Sequence, residues 1–220
     1  MSTLAIVGAG RGLGAAVARR FAREGFSVAL LSRHQGRLDA LAEELRADGV
    51  DAHGYEADVR DHRGLAKALE RAAGQQGPIE VLQYSPLPQK EFLRPVLETT
   101  PDDLAAAVEF SVYGPAAAVH QVQQHMRVLG GGTILFVNGG TAVKARADFA
   151  GTSVSFAGQS ALAETLHEAL RPDGIHVGQL IIPGAIEEGH PKKDPEVLAD
   201  LLWTIHQEKG AFRTFADDMD

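Results

Sequence analysis

An apolar run, Leu4-Ala5-Ile6-Val7, passes without a break into Gly8-Ala9-Gly10-Arg11-Gly12-Leu13-Gly14 and then into an Ala- and Arg-rich helical stretch. Few arrangements fit strand, glycine turn and helix in that order. Glycine lets the turn take positive φ, and the missing Cβ lets a pyrophosphate approach the backbone. The following helix aims free N–H groups and its positive dipole end at that phosphate. Gly8, Gly10, Arg11, Gly12, Leu13 and Gly14 are therefore candidate dinucleotide contacts. The motif alone is weak. Its place in the first unit of a chain that continues β-α-β is the context that gives it weight.

Short apolar runs alternate with helical patterns along the rest of the chain. Strands are expected over Thr3–Val7, Ser27–Leu31, Asp51–Tyr55, Ile79–Gln83, Thr133–Val137 and His176–Ile182. Helices are expected near 12–24, 35–48, 61–76, 102–129, 153–171 and 194–208. The strands are continuously apolar, as in a parallel sheet covered on both faces. The expected architecture is α/β: a doubly wound parallel sheet of Rossmann type, forming a single domain over residues 1–220. A formal charge of −8 argues against nucleic acid or an anionic membrane as partner. The absence of cysteine excludes disulfides, thiolate nucleophiles and iron–sulfur clusters. Nothing near the first residues resembles a signal peptide or a membrane span, so the expected location is cytoplasmic.

The second strand runs out at Leu30-Leu31-Ser32-Arg33. NAD-selective sites usually place a carboxylate here for the ribose 2′-hydroxyl. This chain has none before Asp39. The Arg33 guanidinium and the Ser32 hydroxyl suit a 2′-phosphate instead, and Arg11 adds a second charge. NADP(H) is thus favoured over NAD(H).

The spacing Gly8-x-x-x-Gly12-x-Gly14 resembles that of the short-chain dehydrogenase/reductase family, and the resemblance spans most of the chain. Asp58-Val59 resembles the family's adenine-contacting pair. Gly132–Val137 resembles the strand leading to its catalytic serine, and Pro183-Gly184 the turn bordering the nicotinamide. Ser85, after the fourth strand, joins the expected cofactor contacts. The chemical half departs from the pattern. Members usually carry Asn, Ser, Tyr and Lys, with Tyr and Lys one helical turn apart. Here the resemblance puts Ser111, Gly139, Ser155 and Gln159 at those positions. Between Lys144 and Arg171 there is neither tyrosine nor lysine. A Ser/Gln pair hydrogen-bonds a carbonyl but does not efficiently protonate an alkoxide.

Substitutes for the missing groups are Tyr84 at the end of the fourth strand, Ser111, Asn138, Thr141, Ser155 and Gln159. Tyr113 is weighed as a core or subunit-contact residue. Pro115 lacks an N–H, which leaves the Ser111 carbonyl free for a water. Gly139-Gly140 expose backbone N–H groups suited to an oxyanion, or form a plain strand-to-loop turn. His120, His125, His167, His176 and His190 are expected to be structural or exposed, and no metal-ligand cluster is expected. The segment 185–194 is a short substrate lid, with Lys192 and Lys193 solvated. Asp217-Asp218-Met219-Asp220 is expected to fray. The resemblance implies a homodimer or homotetramer through the helices 102–129 and 153–171. Two functions fit: an NADP(H)-dependent oxidoreductase of atypical mechanism on a small carbonyl, enone or imine, or a catalytically silent NADP(H)-binding sensor or assembly protein. A third reading is a structural domain whose glycine loop binds no nucleotide.

Overall fold

A computed structural model describes residues 2–219. Seven strands form one parallel sheet: β1 (Thr3–Val7), β2 (Ser27–Ser32), β3 (Ala52–Glu56), β4 (Ile79–Tyr84), β5 (Gly132–Gly139), β6 (Ile175–Ile182) and β7 (Arg213–Phe215). Their spatial order is β3-β2-β1-β4-β5-β6-β7. The order reverses between β1 and β4, which opens a crevice beyond their C-terminal ends. Right across this point Val7 pairs with Leu31 on one side and Tyr84 on the other.

Helices cover both faces: α1 (Leu13–Ala22), α2 (Gln35–Ala47), α3 (His62–Gln76), α4 (Pro101–Val108), α5 (Gly114–Leu129), α6 (Ala150–Leu170) and α7 (Pro195–Glu208). Alternate strand residues feed two cores. Leu4, Ile6, Val28 and Leu30 pack on α1, α2 and α7, while Ala5, Val7, Ala29 and Leu31 belong to the core under α3, α5 and α6. Burial of both faces is why the strands carry no polar alternation.

Three expectations are corrected. β7 escapes the sequence because it is three residues long and only half buried. Asp51 stays outside β3, where its carboxylate accepts a hydrogen bond from Ser27. The single helix 102–129 is two helices joined by a five-residue π-helical segment, Glu109–Tyr113.

His176 on β6 and His206 on α7 are buried beside each other's element. Burial, then the neighbouring His167, Lys209 and His206, holds the His176 imidazole down to about 4. Burial lowers His206 in the same sense. Both rings are neutral in the fold and take protons more readily in the unfolded chain. Stability should be full above about pH 6.5 and fall progressively toward pH 4. Denaturant titration across that window checks this; a flat profile in the native chain, or a loss undiminished in His176→Gln, would refute it.

Candidate active site

The glycine loop lies at the crevice. Gly8 has φ +91°, and a Cβ there would stand 2.4 Å from Pro86 Cα and N. The loop therefore packs directly on the chain leaving β4, where Ser85 N–H bonds the Val7 carbonyl. Gly10 and Gly12 are different: nothing lies within 4 Å of their missing Cβ atoms. Packing does not require glycine there, and the space beside the loop is open. α1 begins immediately, with Gly12 offering no side-chain cap and no acidic residue in the first turn. Such a helix start suits a phosphate.

A cavity of about 570 Å³ runs from this loop along the end of β2. Gly8, Gly10, Arg11, Ser32, Arg33, Val59 and Pro86 line it, joined by His34 and Arg37, which the sequence reading missed. Arg37 lies in the first turn of α2, four residues after Arg33, and its closeness to the end of β2 was the available signal. Arg33 and Arg37 are exposed and form no ion pair among the described residues, whereas Arg11 pairs loosely with Glu44 at 3.4 Å. Asp39 does not line the cavity; it accepts a hydrogen bond from Gln35. Asp58 is exposed and caps the Arg60 N–H. Gly12, Leu13, Gly14, Asp58, Ser85, Pro183 and Gly184 are not among its lining residues. Gly184, at φ +75°, turns the chain sharply after β6.

The other end of the crevice is closed by a buried polar network. The π-helical winding and Pro115 together deny two carbonyls their usual helical donors. Side chains from elsewhere replace them. The Tyr84 hydroxyl donates to the Phe110 carbonyl at 2.6 Å, and the Gln159 amide donates to the Ser111 carbonyl at 2.7 Å. Gly114 is what lets Tyr84 in, since a Cβ there would stand 2.6 Å from its hydroxyl. Gln159 Oε1 accepts from Asn138, whose Oδ1 accepts from Gln179 at 2.9 Å. Gln179 Oε1 in turn accepts from Ser160 and Arg213, both at 2.9 Å. Ser155 donates to the Ser111 hydroxyl at 3.1 Å. Ser111, Asn138, Ser155 and Gln159 are each at most 3% exposed.

These contacts correct several expectations. The Ser111 carbonyl is not left free, because Gln159 already donates to it. Tyr84 does not stand open at the strand edge: it is 1% exposed, and burial pushes its phenol well above the usual tyrosine range. Tyr113 is half exposed. His190 needs no correction: its Nδ1 accepts the Lys192 and Lys193 N–H groups and organises the tip of segment 185–194. The last residues do not fray up to Met219; Asp220 lies outside the described residues. Ala216 N–H bonds the Ile181 carbonyl, and Lys192 bonds Asp217 at 2.6 Å. Met219 packs on Ala142, Phe156 and Ile181, and its Cε would lie 3.1 Å from a Cβ on Gly140. It therefore covers one side of the proposed oxyanion turn. Of the six substitutes named above, Thr141 alone keeps an uncommitted polar side chain, half exposed on the turn after β5. Gln179, Ser160 and Arg213 were missed, although a glutamine inside the apolar run of β6 was a visible signal. No cluster of three metal-ligating side chains occurs among the described residues. No helix among them is long and apolar enough to cross a membrane.

A family model described as short chain dehydrogenase matches residues 2–196. An uncharacterized oxidoreductase of Mycobacterium tuberculosis is 34% identical over 137 residues, 60% of this chain and 50% of that protein. The chain spans about 50–60% of the length of the first curated relatives it matches. Among solved structures, a short-chain dehydrogenase from Rhodopseudomonas palustris superposes with a TM-score of 0.86 at 25% identity, covering 99% of both chains. L-Sorbose reductase from Gluconobacter frateurii, solved with NADPH and L-sorbose, gives 0.87 at 22% identity, covering 98% of this chain and 94% of that one.

Proposed function

This chain belongs to the short-chain dehydrogenase family, and on that premise we propose that it is an NADP(H)-dependent oxidoreductase acting on a small carbonyl, enone or imine without the family's tyrosine–lysine proton relay. The observation that carries the cofactor reading is the cation-lined groove beside an uncapped helix start. Gly10, Gly12 and the first turn of α1 receive the pyrophosphate, and Ser32, Arg33 and Arg37 receive the 2′-phosphate. Free guanidinium groups with no carboxylate lining the groove favour that phosphate over a bare ribose. The same fold holds NADPH in L-sorbose reductase. When bound, the nicotinamide supplies hydride transfer, which needs orientation more than acid–base help.

The proton is the harder part. Ser111, Asn138, Ser155 and Gln159 are buried and bonded to one another, and Tyr84 is bonded to the π segment. None of them meets a substrate. Thr141 and the Gly139–Gly140 backbone remain to orient a carbonyl and a water at the open edge. We assign them that positioning role.

Replacing Arg33 by Ala should weaken NADPH at least tenfold while leaving NADH within about twofold, because only the phosphate contact is removed. Nucleotide-dependent shifts in melting temperature measure both affinities. No shift with either nucleotide at millimolar concentration would overturn the proposal, and a larger shift with NADH would overturn the Arg33 assignment. NADPH consumption against a carbonyl panel then tests catalysis.

A second reading, a silent NADP(H)-binding sensor or assembly protein, is favoured by one observation: the network at the catalytic positions leaves none of its side chains open to a substrate. Tight NADPH binding with no turnover on any substrate would select it. Under either reading we propose a homodimer or homotetramer and a cytoplasmic location. Tyr113, Val128, Leu129 and Val154 are exposed apolar side chains within 102–129 and 153–171 that suit a subunit contact, and light scattering reads the assembly.

A further inference from the structure

A second cavity, of about 380 Å³, lies at the opposite edge of the sheet, where β6 begins and α6 and α7 end. Its polar lining is His167, Arg171, His176 and Lys209, with no carboxylate. We propose that this cavity binds a small phosphate-type oxyanion, independently of the nucleotide groove.

The first argument is charge. Arg171 and Lys209 form no ion pair among the described residues. Two unneutralised cations and two imidazoles face one cavity in a chain of formal charge −8. Basic side chains at the ends of α6 and α7 would each suit the helix dipole. That effect does not account for His176, which comes from the strand between them.

The second argument is an orphaned ring nitrogen. His176 is 7% exposed, and its Nε2 is buried without a hydrogen-bond partner. A buried polar atom left unpaired is costly and calls for an occupant. The His167 ring stands 5.5 Å from that of His176, centroid to centroid. Its Nδ1 is spent on the Val177 carbonyl at 2.8 Å, which leaves Nε2 free.

The third argument is backbone strain. Lys209 is the one non-glycine residue with positive φ among the described residues, at φ 47° and ψ 41°, closing α7. Glycine normally takes that position, and here Gly210 follows one residue later. The chain holds a lysine in a strained place on the wall of this cavity. Desolvation of His176 and the surrounding positive groups depress its basicity, and an anion would reverse that.

The test follows histidine ring resonances of the full chain by NMR during titration with inorganic phosphate, against sodium chloride of equal ionic strength. Saturable shifts of His176 and His167 are expected. They should weaken at least tenfold in Arg171→Gln/Lys209→Gln and persist in Arg33→Gln, which disables the nucleotide groove instead. Lys209→Gly should raise the melting temperature yet weaken phosphate, a pairing that a merely structural lysine would not give. A phosphate monoester binding as well as phosphate would support an ester as the natural ligand; phosphate binding alone would support the free ion. The proposal is overturned if no saturable shift appears, if shifts survive in the double variant, if they vanish in Arg33→Gln, or if acetate saturates the site and phosphate does not.

Discussion

Replacing Gly8 by Ala should lower stability by about 3–5 kcal/mol, near the top of what one substitution does. Two costs combine. At φ +91° an alanine pays for a conformation that side chains avoid, about 1–2 kcal/mol. Its Cβ would also stand 2.4 Å from Pro86 Cα and N, atoms of a backbone fixed by the end of β4. No flexible tip can yield, so β1 and β4 must part where the crevice opens. In a domain of this size that corresponds to a fall in melting temperature of about 10 °C. Gly10→Ala is the matched control. With nothing within 4 Å and no positive φ, it should leave the melting temperature within about 1 °C. It should still weaken NADPH binding tenfold or more, because its methyl group enters the space above the loop. If Gly10→Ala destabilised the fold as much as Gly8→Ala, the division between packing glycines and ligand glycines would be wrong.

Gln159→Leu should cost about 2–4 kcal/mol despite leaving the volume nearly unchanged. The amide satisfies the Ser111 carbonyl and the Asn138 amide at once, so its loss strands two buried groups. The effect should couple to Asn138. In a double-mutant cycle with Asn138→Leu, the two losses should sum to about 1 kcal/mol or more beyond the measured double loss. Simple additivity would mean that the network is a set of independent contacts. Neither variant should alter NADPH affinity by more than about twofold, since neither residue lines the cofactor cavity.

The sheet was legible because its signal is local. Five of the six expected strands coincide with observed ones to within a residue at either end, and β5 runs two residues further than expected, to Gly139. The cofactor end was legible for a similar reason: Gly8 to Gly14 and Ser32-Arg33 are contiguous, and their chemistry is set by position on a strand end. The other end is different. Ser111 meets Gln159 across 48 residues, and Asn138 meets Gln179 across 41. The sequence singled out Ser111, Asn138, Ser155 and Gln159 as candidate substitutes for the missing groups, but not that they bond to each other. The π winding was likewise hidden. Pro115 announced a missing donor, yet whether a water or a side chain fills the gap depends on α6 lying alongside. Arg213 was invisible because β7 is too short to show periodicity.

The five residues wound loosely between α4 and α5 make this stretch sensitive to count as well as to composition. A regular helix would reach α5 with one residue fewer, and it would arrive turned by roughly 100°. Tyr84 and Gln159 are fitted to carbonyls that this winding and Pro115 together leave without helical donors. A chain shortened by one between Val108 and Gly114 would therefore change which carbonyls lack donors, with every side chain around them intact. In this molecule the spacing between two proline-bearing helix starts, Pro101 and Pro115, carries information that a comparison of side chains alone would not reveal.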